Sequence, residues 1–71
     1  MNGEEFLRKI KALGREHGVP VRFDTEQGKG SHGTLWHGDR RCTLKDRKKE
    51  IGTGLLAAML AQLGLAKRDL K

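Results

Sequence analysis

Gly28-Lys29-Gly30-Ser31-His32-Gly33 packs glycines, a lysine, a serine and a histidine into one short stretch, which runs on into Thr34-Leu35-Trp36-His37-Gly38. Glycines give a backbone access to φ > 0 and let a ligand approach without side-chain clashes. A lysine and the exposed N–H groups of such a turn suit a phosphate or another anion. A histidine beside them can move a proton near neutral pH. An anion cradle next to a titratable imidazole is equipment for chemistry at a phosphodiester, with Lys29, Gly30 and Ser31 as the cradle and His32 as the proton carrier.

Composition limits the partners of such a turn. The chain has 71 residues and a formal net charge of +6, which means one domain, spanning residues 1–71, with a small core. The positive charge favours nucleic acid or an acidic protein. One cysteine, Cys42, excludes an internal disulfide and a cysteine-rich zinc site. No metal or other cofactor is expected. The start, Met1-Asn2-Gly3-Glu4-Glu5, lacks the basic-then-apolar layout of a signal peptide. The apolar run from Leu55 to Leu65 is broken by Gln62 and Gly64 and is too short to span a bilayer. A cytoplasmic protein with no membrane partner is expected.

The turn needs a frame. Asn2 with Glu5 resembles an amino-terminal capping box, and Phe6, Ile10 and Leu13 follow at helical spacing, widened by Leu7. A first helix over Gly3–His17 is predicted, closed by Gly14 or Gly18. From Val19 the period changes: Val19, Val21 and Phe23 alternate with Pro20, Arg22 and Asp24 as in a half-buried strand. Pro20 should sit at its start or on an edge. Thr34–His37 makes a second strand, Gly38-Asp39 a hairpin turn and Arg40–Leu44 a third strand. Alternation puts Val21, Phe23, Leu35, Cys42 and Leu44 on the core face, and Thr34, Trp36, Arg41 and Thr43 on the other. After the charged loop Lys45–Glu50, Thr53 caps a second helix over Gly54–Leu63 with Gly64 as its stop. That helix is apolar almost all round, which predicts burial on several sides or cover by a partner. A last helical turn is expected near Leu70.

The order is α-β-β-β-α, an α+β unit with two helices on one face of a three-stranded antiparallel sheet. The other face carries Arg22, Trp36 and Arg41, a basic surface with an aromatic in it.

The glycine-lysine-glycine-serine-histidine turn, the strand and Gly38-Asp39 turn after it, Lys49-Glu50-Ile51-Gly52-Thr53 and the ending Gln62-Leu63-Gly64-Leu65 together resemble the HicA-type toxins. These are the small RNA-cleaving members of HicA–HicB toxin–antitoxin pairs. The resemblance covers nearly the whole chain. It implies a double-stranded-RNA-binding-domain-like fold, a catalytic role for His32, mRNA as substrate and a HicB-type antitoxin as partner. Many members carry a histidine between the third strand and the second helix, where this chain has Lys45-Asp46-Arg47-Lys48-Lys49. Basic side chains would have to serve there.

The expected activity is metal-independent endonucleolytic cleavage of mRNA. RNA brings its own 2′-hydroxyl nucleophile, so the protein has only to move protons and neutralise charge. His32 serves as base or acid, and Lys29 with the turn's N–H groups stabilises the charge on phosphorus. Trp36 is either core filler or a stacking platform. Lys45, Arg47, Lys48 and Lys49 are either a solvated loop or a grip on phosphates, joined by Arg41 on the sheet. Ser31 has no acid–base pair to make it a nucleophile, His37 reads as structural or solvated, and Cys42 as a buried apolar residue. Two alternatives use the same residues. One is a non-catalytic double-stranded-RNA-binding module. The other is a protein-interaction unit that docks a partner on the apolar second helix.

Overall fold

The structure is a computed structural model and describes residues 1–25 and 33–70. Its elements run α1 (Gly3–His17), β1 (Val21–Thr25), β2 (Gly33–His37), β3 (Arg40–Leu44), α2 (Thr53–Gln62) and a 3₁₀ turn (Lys67–Asp69). The strands pair antiparallel in the order β1-β2-β3.

Helix α1 starts and stops where its sequence directs. The Glu5 N–H donates to Asn2 Oδ1 at 2.9 Å, and Gly18 closes the helix in the left-handed region at φ 69°. Glu4 and Glu5 in the first turn and Arg15 and His17 in the last both complement the helix dipole. Of the two candidate stops, Gly14 does something else. It is buried inside the helix, and a Cβ there would lie 2.3 Å from Val21 Cγ2 and 2.7 Å from the Val19 carbonyl. Its missing side chain lets α1 close onto the start of β1.

Strand β1 begins at Val21, two residues later than the alternation implies. The physical reason lies in Pro20, which has no N–H to give to a ladder. Its carbonyl accepts from the Gly38 N–H at 2.8 Å, joining the entry of β1 to the β2–β3 hairpin. Strand β2 starts at Gly33, one residue before the expected Thr34. The hairpin turn is at Gly38-Asp39, with Gly38 at φ 65°.

The inward row is the expected one: Leu35, Cys42 and Leu44 are buried, and Phe23 and Val21 pack at its margin. Phe6, Leu7 and Ile10 of α1 and Met59, Leu60 and Leu63 close the same core, so both helices cover one face. Ile51 completes it.

Helix α2 departs from expectation in two ways. Gly52, extended at φ −64° and ψ 154°, holds the N-cap position, and Thr53 is already helical. Glycine has no side chain to bond the first turn, so this end has no side-chain cap. Burial is also one-sided. Met59, Leu60 and Leu63 are inside, while Ala57, Ala58 and Ala61 are exposed and Leu55 is 57% exposed. The carboxy end forms a full Schellman closure. The Leu65 N–H reaches the Leu60 carbonyl at 2.8 Å and the Gly64 N–H the Ala61 carbonyl at 3.0 Å, with Gly64 at φ 75°. No helix among the described residues is long and apolar enough to cross a membrane.

Candidate nucleic-acid interface

The helix-free face of the sheet is organised by register. Arg22 on β1, Trp36 on β2 and Arg41 on β3 are direct cross-strand partners. They form one row perpendicular to the strands. The Arg22 guanidinium carbon lies 5.1 Å from the centre of the indole and that of Arg41 lies 5.4 Å away. Both distances are within cation–π range. Asp24 lies beside Arg22 in an exposed ion pair of 3.7 Å. Around the row a shallow groove is lined by Asp24, Thr34, Trp36, Arg41 and Thr43, with Gln62 of α2 at its border. Two guanidinium planes and an indole on an open surface can stack bases and hold phosphates.

The loop cations do not join this row. Lys45 and Lys49 line an adjoining groove, which meets the first at Thr43, with Leu44, Ile51, Leu55 and Met59, between the end of β3 and the start of α2. Arg47 turns the other way and sets its guanidinium 5.4 Å from the ring centre of Phe23, on the helix-covered side of the sheet. Lys48 is exposed on the turn between them, where its N–H donates to Asp46 Oδ1 at 3.0 Å. Thus Trp36 and Arg41 share one surface, while Lys45, Lys49 and Arg47 occupy two others.

Lys29, Gly30, Ser31 and His32 lie outside the described residues. What is described is the frame on either side of them: β1 and β2 stay paired out to Thr25 opposite Gly33, and Gly33 also pairs with Leu44. Gly33 is buried, and a Cβ on it would come within 2.6 Å of both the Asp24 carbonyl and Phe23 Cζ. The last glycine of the motif is therefore demanded by strand packing. Trp36 follows it by three residues along β2, roughly 10 Å at the rise of a strand.

The remaining candidates are placed by burial. His37 is half-buried at the end of β2, and its Nε2 is buried with no hydrogen-bond partner among the described residues. Burial pushes the Cys42 thiol up to about 11. A thiol held neutral in this way is a packing group, with no nucleophilic role at neutral pH. Among the described residues no three histidine, cysteine or acidic side chains come together as a metal-binding group. Arg22, placed on this face by the strand alternation but not counted among the binding residues, is the cross-strand partner of Trp36.

Compared with protein-family models, with curated proteins and with solved structures, the chain finds no match in any of the three.

Proposed function

We propose that the chain is a metal-independent endoribonuclease of the HicA toxin kind, acting on mRNA and held inactive by an acidic antitoxin protein. The observation that carries this reading is the Arg22–Trp36–Arg41 row, an open cationic and aromatic surface whose central Trp36 stands on the strand that leads out of the Gly28–Gly33 motif.

In this reading, bases stack on Trp36 and on the guanidinium planes beside it, while the phosphodiester reaches the glycine turn. The 2′-oxygen forms its bond to phosphorus as the bond from phosphorus to the 5′-oxygen breaks. The proton of the 2′-hydroxyl passes to a base, and the departing 5′-oxygen takes one from an acid. His32 performs one of these transfers, which are typically worth roughly 10²–10⁴-fold each. Lys29 and the N–H groups of the turn offset the charge that grows on the phosphoryl oxygens. The products are a 2′,3′-cyclic phosphate and a 5′-hydroxyl. The net charge of +6 favours an acidic partner, and covering the cationic row would exclude RNA both by bulk and by charge.

The test is incubation of the purified chain with a long RNA in excess chelator, read on a denaturing gel with analysis of the new ends. Cleavage leaving cyclic phosphates supports the reading. Intact RNA, or cleavage that appears only with added magnesium, contradicts it.

A further inference from the structure

A second cationic surface lies on the opposite side of the molecule from Trp36. A groove of about 280 Å³ runs along α1 and is lined by Glu4, Leu7, Arg8, Lys11, Arg15 and Arg47. Spacings of three and four put Arg8, Lys11 and Arg15 on one stripe of the helix. The stripe spans roughly 10 Å of axis at the rise of an α-helix. Four cations face one carboxylate, Glu4.

Arg47 is built into this groove and does not hang over it. Its backbone carbonyl accepts from the Glu4 N–H at 2.8 Å, and the Lys49 carbonyl accepts from the Gly3 N–H at 3.3 Å. The bridge between Asn2 and Glu50 and the contact of the Met1 amino group with the Glu50 carboxylate hold the same loop. Gly3 permits this approach, since a Cβ there would lie 2.6 Å from the Arg47 Cα. The guanidinium is flattened against Phe23, and its Nε is buried without a hydrogen-bond partner among the described residues. Phe23 thus fixes the Arg47 guanidinium at the groove wall, with its charge held among those of α1.

We propose that the α1–Arg47 groove binds the phosphodiester backbone of an RNA strand, as a surface distinct from the Arg22–Trp36–Arg41 row. The chemistry required is a run of phosphate oxygens. A linear stripe of roughly 10 Å outspans a single phosphate and fits successive ones along a strand. The groove offers no exposed aromatic ring for a base, so it contributes affinity and orientation and leaves base choice to the Trp36 face. This inference rests on RNA as the ligand of the chain and adds a second contact region to it.

The experiment measures binding of a 2′-O-methyl RNA oligonucleotide, which cannot be cleaved by its own 2′-oxygen, across a series of salt concentrations. Arg8→Gln/Lys11→Gln removes two charges at exposed or rim positions of a helix that tolerates glutamine. The slope of log affinity against log salt should shrink by about 1.4, at about 0.7 per single-strand phosphate contact. Lys67→Gln/Arg68→Gln removes the same charge elsewhere and should leave the slope unchanged. Arg47→Lys keeps the charge but loses the Nε–H, and should weaken binding severalfold. The Arg47 Nε–H resonance should shift with the oligonucleotide and stay put in an equal phosphate concentration supplied as inorganic phosphate. Equal slopes for the two double variants would overturn the inference, as would a full resonance shift with inorganic phosphate alone. Wild-type chain that cleaves RNA while the Arg8/Lys11 variant keeps its slope would sink this groove and leave the ribonuclease reading standing. Groove-dependent binding without cleavage of natural RNA would do the reverse.

Discussion

Arg41 lies directly across the β2–β3 ladder from Trp36, with its guanidinium carbon 5.4 Å from the centre of the indole ring. The pair stands on the face that neither helix covers, so its side chains can be changed with little effect on the core. Trp36 is the single tryptophan of the chain, and its fluorescence reports this surface alone. RNA should quench that emission. Trp36→Ala should weaken RNA binding by roughly 5- to 150-fold, the loss of one stacked base at about 1–3 kcal/mol. Arg41→Gln should weaken it less, and both variants should keep the wild-type circular dichroism. Unchanged affinity in Trp36→Ala would remove the sheet face from the RNA path.

Gly33 and Gly3 are both packing glycines, on either side of the Phe23–Arg47 contact. A methyl group at Gly33 meets the Asp24 carbonyl and the Phe23 ring at 2.6 Å, and one at Gly3 meets the Arg47 Cα at the same distance. Backbone cannot yield as a flexible side chain can. Gly33→Ala and Gly3→Ala should each cost about 1–3 kcal/mol, as overpacking does. In a domain this small that is about 4–8 °C of melting temperature per kcal/mol. Gly52→Ala, with open space around its Cβ, is the control and should cost far less. Thermal melting monitored by circular dichroism decides.

Cys42 couples stability to alkaline pH. Its thiol rises from 9.0 to about 11 through burial, so the unfolded chain ionises first. The stability linked to this group is fully present below pH 9.0 and is lost as pH rises towards about 11. Cys42→Ala should be less stable at neutral pH but should show a shallower fall of stability across that window. Alkylation of the wild-type thiol near neutral pH should proceed only as fast as the domain opens. Rapid labelling of the folded protein would contradict its burial.

The frame was legible because local signals and the global pattern agree. Asn2 and Gly18 bound α1, Gly38-Asp39 turns the hairpin, and period-two alternation placed Leu35, Cys42 and Leu44 inside and Trp36 and Arg41 outside. Two local errors have local causes. Threonine and glycine rank about equally as helix caps, so residue type does not choose between Thr53 and Gly52, and the backbone leaves the helix at Gly52. Hydrophobic composition implied that α2 is buried on several sides or covered by a partner; a single layer of sheet buries only one side of it and Leu55 stays exposed, so the first alternative fails within the chain. The loop cations could not be apportioned from sequence at all. Lys45 through Lys49 read as one charged run, whereas the hydrogen bond from the Glu4 N–H to the Arg47 carbonyl carries Arg47 round to α1 and separates it from its neighbours. That contact joins residues more than forty positions apart, and no local pattern encodes it.

The central claim is that His32 moves a proton during RNA cleavage. Its most direct test is the single-turnover cleavage rate of His32→Ala against wild type on one RNA substrate, in chelator, with RNA affinity and thermal melting measured on the same samples. The His32→Ala rate should be at least about 100-fold lower with affinity and melting nearly unchanged, the signature of a lost proton transfer. A folded, RNA-binding His32→Ala chain that cleaves at the wild-type rate would contradict it.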